Sequence, residues 1–303
     1  MINYFKKTPK DESLRKLSKF EKGCWIEVID PSEKELSYLH KTFDLDKQNL
    51  ISGTDKNEVP RVEFDDKDLY VILKIISPDD KKELHTFLII ITNDFVLTLS
   101  EHRPDFMEKI FEDKIGVITT QKPKCLLKLF SLINKDFERS TLAVVRSVNT
   151  KREAITNLSD RDIKALLEQE SILNNFVSSY HYINLLYQRI VKNVKFFEED
   201  KEFIKDLIIE SQQGLDLCKS SLRTISNMRD HFVILLSNKL NRVITLLTIF
   251  TVFISVPAAI SGIYGMNLGL PLQNNPFAFY YLAALIVVIW IGFIVFFKKN
   301  RIL

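Results

Sequence analysis

Charged side chains are missing from one long stretch of this sequence. After Arg242 there is no Asp, Glu, Lys, Arg or His until Lys298, a gap of 55 residues. A charge at the centre of a bilayer costs roughly 2.5–3.5 kcal/mol on insertion scales, so the gap indicates contact with lipid. It contains two apolar runs, 243–263 and 277–297, each long enough for a membrane helix of ~20 residues. The sequence therefore predicts a C-terminal hairpin of two membrane helices joined by a loop at 264–276.

Cysteine is also scarce. Cys24, Cys125 and Cys218 are widely separated and form no C-x-x-C pair, which argues against a zinc site or a disulfide framework and fits reduced thiols. The first ten residues hold three lysines and no apolar segment, so we expect no signal peptide. With 42 basic and 39 acidic residues, the charge is nearly balanced, and we expect no nucleic-acid partner.

Basic residues flank the predicted hairpin at both ends. Lys239 and Arg242 precede the first membrane helix, and the tail 298–303 is basic, whereas the loop 264–276 carries no charge. Positive residues are retained on the cytoplasmic side of membranes. We therefore expect a multi-pass protein of the cell membrane, with both termini cytoplasmic and the loop outside.

Residues 1–200 are expected to form a cytosolic α+β domain in which helices flank a sheet. Alternating and β-branched apolar runs predict four strands, the last three of them antiparallel neighbours, and helical patterns occur twice. The strands are at 24–29, 69–77, 85–92 and 95–99, and the helices are at 32–43 and 106–112.

Proline and glycine become rare in the second half of the chain. No proline occurs between Pro123 and Pro257, and Gly214 is the single glycine of that stretch. This pattern predicts long helices, including one that runs from 200 to 263. Its part at 201–242 would form a stalk that continues into the first membrane helix. A helix of that length cannot be covered by its own chain, so we expect self-association.

A polar stripe follows the first predicted membrane helix. Asn241, Thr248 and Ser255 recur every seven residues, and Thr251 and Ala258 lie three residues after the last two. Because threes and fours alternate along one helix face, the stripe is typical of a helix that faces the interior of a bundle. The alternative is that the hydroxyls bond carbonyls of the preceding turn and the stripe only packs helices. The almost wholly apolar second helix is expected to face lipid.

A short motif, Tyr264-Gly265-Met266-Asn267, follows the first predicted membrane helix directly, and a lysine pair closes the second. With the two-helix hairpin, this motif resembles the CorA family of divalent-cation transporters, the two-helix superfamily with a G-M-N motif. The resemblance extends upstream through Trp25, Asp30-Pro31, Pro60-Arg61-Val62-Glu63, Phe95-Val96-Leu97-Thr98, Asn241 and Leu247-Thr248.

The resemblance implies a homopentameric funnel in the bilayer that conducts Mg²⁺, and also Co²⁺ or Ni²⁺, down the electrochemical gradient. It places the selectivity filter at Gly265, Met266 and Asn267, with the ring of asparagines meeting the hydrated ion. The alternative for Asn267 is a left-handed residue that merely ends the helix. The implied pore lining comprises Asn241, Ile244, Leu247, Thr248, Thr251, Ser255 and Ala258, with Ile244 and Leu247 near the inner constriction.

The resemblance also implies regulation by intracellular Mg²⁺ held between subunits by acidic side chains. Asp206 occupies the position of one such acid on the stalk helix, and Asp79 or Asp80 would be its partner. The alternative for all three is an ordinary solvated charge. Many members of the family carry an acidic residue in the outer loop, and none is present at 268–276 here.

Two other functions compete with Mg²⁺ conduction. The ZntB branch of the same architecture moves Zn²⁺, with proton coupling as an option, but the membrane segments hold no His or Cys for that ion. An anchored enzyme would need a catalytic constellation. The five histidines are dispersed in sequence, Glu101-His102 is interpreted as a surface pair at a strand end, and no P-loop, dinucleotide fingerprint or H-E-x-x-H occurs. We expect no enzymatic activity and no organic cofactor.

Overall fold

The structure is a computed structural model, and it describes residues 1–65, 68–78, 83–153, 159–272 and 274–299. The chain divides into two compact units, Met1–Arg229 and Asp230–Leu303. The first unit contains the sheet and its flanking helices, and the second contains the two apolar helices.

In the described part of the first unit, seven strands form one sheet. They are β1 (Ile2–Lys6), β2 (Arg15–Leu17), β3 (Trp25–Ile29), β4 (Arg61–Asp65), β5 (Asp68–Ile76), β6 (Leu84–Ile91) and β7 (Val96–Ser100). Their order across the sheet is β2-β1-β3-β7-β6-β5-β4. The predicted antiparallel pairing of β5 with β6 and of β6 with β7 is confirmed. β3 and β7 run parallel to each other, which the sequence did not predict.

The described residues also form seven helices. They are α1 (Glu33–Phe43), α2 (Lys47–Ser52), α3 (Asp105–Phe111), α4 (Lys122–Glu153), α5 (Asp160–Asn193), α6 (Glu198–Tyr264) and α7 (Ala278–Lys299). The predicted long helix at 200–263 is confirmed as α6. The predicted start of α1 is also confirmed, since Ser32 accepts a hydrogen bond from the Glu35 backbone and receives the Glu35 carboxylate in return.

Side chains of the central strands alternate between two apolar cores. Phe87 and Ile89 belong to the core that contains α3, α4 and α5, whereas Leu88 and Ile90 belong to the core that contains α1 and α2. Successive residues of a strand point to opposite faces of a sheet, so an unbroken apolar run such as that of β6 requires cover on both sides. The predicted class, a sheet flanked by helices, is confirmed.

A buried polar side chain joins the three long helices of the first unit. Asn134 on α4 donates from Nδ2 to the carbonyl oxygen of Leu207 on α6 at 2.9 Å. Its Oδ1 accepts from the hydroxyl of Tyr187 on α5, also at 2.9 Å. Gly214 on α6 lets the ring of Tyr180 approach closely, because a Cβ atom there would lie 2.4 Å from a ring carbon. These contacts fix the register of the helices against one another.

The second unit contains the C-terminal part of α6 and the whole of α7. Both helices are long and apolar enough to cross a membrane, and only 6% and 0% of their most apolar windows are buried. A core helix of a water-soluble protein would be mostly buried, so these exposed apolar surfaces are those expected of membrane helices. The predicted C-terminal helical hairpin is confirmed.

Candidate functional site

The residues predicted to line a pore share one face of α6. At 100° per residue they occupy a stripe about 120° wide. All of them are exposed in the single chain. They are Asn241, Ile244, Leu247, Thr248, Thr251, Ser255 and Ala258.

Helix α7 packs on the opposite side of α6. The ring of Phe253 lies 5.9 Å from the ring of Trp290 and 6.4 Å from that of Phe293. Ile249, one turn before Phe253, is buried. Position 253 is about 180° from position 244 around the helix axis. Within this unit, α7 therefore covers the apolar side of α6 and leaves the polar stripe open.

The hydroxyls of the stripe bond to their own helix. Thr248 Oγ1 donates to the carbonyl oxygen of Ile244 at 2.9 Å, and Thr251 Oγ1 donates to that of Leu247 at 2.9 Å. Ser255 Oγ donates to a carbonyl three residues earlier at 3.3 Å. These bonds are those expected if the stripe only packs helices. They also leave acceptor lone pairs on each hydroxyl, a surface suited to the water shell of a cation.

The G-M-N motif begins immediately after α6, which ends at Tyr264. The backbone N–H of Gly265 donates to the carbonyl oxygen of Ser261 at 2.9 Å, and that of Met266 donates to Ile263 at 3.2 Å. A Cβ atom on Gly265 would lie 3.2 Å from the Ser261 oxygen, closer than nearly all Cβ contacts. A glycine at this position therefore lets the turn close tightly before the asparagine.

Asn267 is exposed and does not adopt a left-handed conformation. The described non-glycine residues with positive φ are Asp30, Asp44, Asp113 and Leu272. This contradicts the alternative in which Asn267 is present because asparagine tolerates the left-handed region at a helix end. Its amide is available for a partner outside the chain.

The two asparagines in the loop after the motif differ in their contacts. Asn275 Oδ1 accepts from the backbone N–H of Phe277 at 2.9 Å, immediately before α7. Asn275 thus has a local structural role, whereas Asn274 is exposed. The described loop residues include no acid, so any cation bound at this loop would meet neutral oxygen ligands.

Of the three predicted regulatory acids, the structure describes Asp206. Asp206 is exposed on α6, between the buried side chains of Ile204 and Leu207. Asp79 and Asp80 lie outside the residues that the structure describes. The proposed pairing of these acids stays a prediction.

The structure brings His85 next to the predicted surface pair Glu101-His102, which lies 16 residues further along the chain. His85 at the start of β6 lies beside Glu101 and His102, which follow β7, and their ligand atoms lie within 4.8 Å of one another. The interpretation of the histidines as dispersed is wrong for this pair. The antiparallel register of β6 and β7 could have indicated this meeting. It pairs Phe87 with Ser100, and two residues further along the same register His85 falls opposite His102.

Comparison with known proteins agrees with this architecture. A sequence model of the family described as CorA-like Mg²⁺ transporter protein matches residues 20–299. The chain is 28% identical over 293 residues to the cobalt/magnesium transport protein CorA of Methanocaldococcus jannaschii, covering 91% of this chain and 90% of that protein.

Two solved structures share the fold. The complete CorA magnesium transporter of Methanocaldococcus jannaschii superposes with a TM-score of 0.85 at 24% identity, over 99% of this chain and 98% of that one. The ZntB cytoplasmic domain of Vibrio parahaemolyticus gives a TM-score of 0.63 at 8% identity, over 76% and 95%. Because the family model spans nearly all of the sequence, this chain belongs to the family of CorA-like Mg²⁺ transporter proteins.

Proposed function

We propose that five copies of this chain assemble into a membrane channel that carries Mg²⁺ inward, and also admits Co²⁺ or Ni²⁺. The observation that carries the proposal is the exposed polar stripe of α6, opposite the face that packs α7. Asparagine, threonine and serine side chains on a membrane helix face a bundle interior or a water-filled path, because lipid offers them no partners. Other copies of the chain would enclose the stripe around an axis.

The flanking charges support the orientation of the channel. Lys239 and Arg242 precede the first membrane segment and Lys298 and Lys299 end the second, while the intervening loop is uncharged. This arrangement supports a cell-membrane protein with both termini in the cytoplasm. The membrane potential, negative inside, would then drive the divalent cation into the cytoplasm.

The filter would recognise Mg²⁺ through its water shell. Mg²⁺ gives up water reluctantly, so a ring of Asn267 amide oxygens would accept hydrogen bonds from the hydrated ion without stripping it. Neutral oxygens also avoid the tight binding that would trap a divalent ion. On the cytoplasmic side of this ring, Ile244 and Leu247 would form an apolar constriction. It would block ions when water leaves it.

Zn²⁺ movement is the second candidate, with or without proton coupling. Its support is the likeness to the ZntB cytoplasmic domain, which at 8% identity concerns the fold alone. Zn²⁺ prefers nitrogen and sulfur ligands, and residues 243–297 contain neither His nor Cys. The chemistry of the path therefore favours Mg²⁺.

Mg²⁺ would also regulate the opening of the channel from the cytoplasmic side. Intracellular Mg²⁺ bound between subunits by Asp206 and by Asp79 or Asp80 would hold the channel closed. Asp206→Asn should raise the internal Mg²⁺ concentration needed for closure. Glu202→Gln, an exposed change one turn earlier on α6, is the matched control and should leave that concentration unchanged. An equal shift in both variants would contradict a specific role for Asp206.

The deciding experiment is Mg²⁺ influx into proteoliposomes, under an inside-negative potential and without a pH gradient. The unmodified chain should conduct, Asn267→Ala should lose conduction while keeping its oligomer, and Asn274→Ala should conduct normally. Undiminished flux through Asn267→Ala would show that the motif is structural. If flux appears only with Zn²⁺ and a proton gradient, the second candidate function replaces the first.

A further inference from the structure

A histidine-carboxylate cluster lies where two central strands of the sheet meet, at the start of β6 and just after the end of β7, far along the chain from the membrane segments. The rings of His85 and His102 are 5.2 Å apart, at an interplanar angle of 75°. Glu101 reaches both of them: His85 Nδ1 is 3.4 Å from Glu101 Oε2, and His102 Nε2 is 3.8 Å from Glu101 Oε1. The cluster thus offers two imidazole nitrogens and a carboxylate in one place.

Two atoms of the cluster are buried without a hydrogen bond. His85 is 5% exposed, and neither its Nδ1 nor Glu101 Oε2 has a hydrogen-bond partner among the residues that the structure describes. Buried polar atoms nearly always have a partner, since an unsatisfied one costs free energy. An ion between these atoms would satisfy both of them.

The spacing of the two atoms fits a metal ion. With metal–ligand bonds of ~2.1 Å and tetrahedral geometry, neighbouring ligand atoms lie about 3.4 Å apart. The observed separation of His85 Nδ1 and Glu101 Oε2 is 3.4 Å. The side chain of His102 is 42% exposed, and its Nε2 lies 3.8 Å from Glu101 Oε1, close enough to contribute a third ligand after a small adjustment.

We propose that His85, Glu101 and His102 form a binding site for a transition-metal dication of the Zn²⁺, Co²⁺ and Ni²⁺ class. Imidazole nitrogen suits these ions, whereas Mg²⁺ prefers oxygen ligands alone. Three protein ligands leave a further position for water. The three ligands all belong to the first unit, whereas the stripe and the motif belong to the second.

Lys56 competes with the metal for the carboxylate. Its Nζ lies 3.2 Å from Glu101 Oε1, and its side chain is 58% exposed. An ammonium group at this distance favours the ionised form of the carboxylate, which is the form that binds a cation. The ammonium group must yield when a metal enters.

The test is equilibrium dialysis of the purified full-length chain in detergent against Zn²⁺, with excess Mg²⁺ present to occupy oxygen-only sites. The unmodified chain should retain one tight Zn²⁺ that His102→Asn releases or weakens by about tenfold or more. His181→Asn removes an exposed histidine elsewhere and should bind as the unmodified chain does. Lys56→Met should bind Zn²⁺ more tightly, because the competing ammonium group is gone.

Circular dichroism would establish that each variant is folded, and Co²⁺ absorption would provide a second readout. Replacement of Zn²⁺ by Co²⁺ should give a visible spectrum that His102→Asn alters and His181→Asn does not. Equal Zn²⁺ binding by the unmodified chain and folded His102→Asn would overturn the proposal. So would displacement of the tight Zn²⁺ by Mg²⁺, since an imidazole site should not accept that exchange.

Discussion

Trp290 donates a hydrogen bond from its indole Nε1 to the carbonyl oxygen of Phe253, at 3.1 Å. In an uninterrupted helix this carbonyl would accept from the backbone N–H of residue 257, but that residue is Pro257. Helix α7 therefore supplies the donor that α6 lacks, at a depth where lipid provides no water to replace it. The proline and the tryptophan act on the same carbonyl from two helices.

This relationship predicts that Trp290→Phe lowers the free energy of unfolding of the protein in detergent by about 1 kcal/mol. Phenylalanine keeps an aromatic ring against Phe253 but removes the donor. In a Pro257→Ala background the helix regains its own N–H, so the same tryptophan substitution should cost much less. Thermal unfolding of the four proteins measures the difference. Equal losses in both backgrounds would show that the indole acts through packing alone.

Polar substitution at the proposed constriction should increase conduction. Leu247→Asn would keep water in the narrow segment, so we expect severalfold greater Mg²⁺ flux at internal Mg²⁺ concentrations that close the unmodified channel. Leu246→Asn is the matched control, because that side chain points away from the stripe and is 43% exposed. Its flux should not rise. Flux that rises in both variants, or in neither, would remove Leu247 from the constriction.

The parts of the structure that the sequence predicted depend on local patterns. The gap in charge between Arg242 and Lys298 indicated the hairpin, and the scarcity of proline and glycine indicated α6. The polar stripe could be placed on one face from spacing alone. Which side of α6 meets α7 could not, because Phe253, Trp290 and Phe293 are apolar residues among many others that fit lipid equally well.

The ion pair between Glu27 and Arg103 should be important for stability. Glu27 is fully buried, and Arg103 donates to its two oxygens at 2.7 Å and 2.5 Å. Arg103→Leu would leave a buried carboxylate with Asn3 as its remaining hydrogen-bond donor among the described side chains, and we expect a loss of about 3 kcal/mol. Denaturant unfolding measures this change.

A solvent-exposed ion pair serves as the control for the buried pair of Glu27 and Arg103. Lys201 and Glu198 form an ion pair on α6 that is open to solvent, so Lys201→Ala should have little effect on unfolding. The double change Glu27→Gln with Arg103→Leu should recover part of the stability lost in Arg103→Leu, since no charge then stays buried. If Arg103→Leu is as harmless as Lys201→Ala, the buried pair contributes little to the fold.

Thiol reactivity should depend on pH in a defined direction. All three cysteines are free and buried. Burial raises the pKa of Cys218 to about 11, so at pH 8 about one thiol in a thousand is ionised. Burial likewise raises the pKa values of Cys24 and Cys125. A disulfide reagent should therefore label the native protein slowly at pH 8 and should label three thiols per chain after denaturation.

The same shift links stability to pH. An unfolded thiol ionises near its ordinary pKa of 9.0 while native Cys218 stays protonated until about 11. The unfolded state then binds fewer protons, so the free energy of unfolding falls as pH rises from 9 to 11. Unfolding at both ends of this range should show a smaller decrease in Cys218→Ala than in the unmodified chain. An identical decrease would assign the effect to other groups.

The elements that the sequence missed depend on distant partners. β2 has the sequence Arg-Lys-Leu, which carries no apolar alternation and becomes a strand only because β1 lies beside it. The meeting of His85 with Glu101 and His102 follows from strand register, and register is fixed by the turn and by the two cores rather than by the histidines. Patterns within a segment do not contain this information.

The parallel pairing of β3 with β7 also determines an order of events during folding. Strands β4 to β7 are neighbours in sequence and can pair locally, whereas β1 to β3 must wait for β7 before the two groups become one sheet. Both apolar helices follow β7 in the chain. On the ribosome, the sheet can thus be complete before either membrane helix emerges, which separates the slow non-local step from the period in which apolar segments are exposed to water.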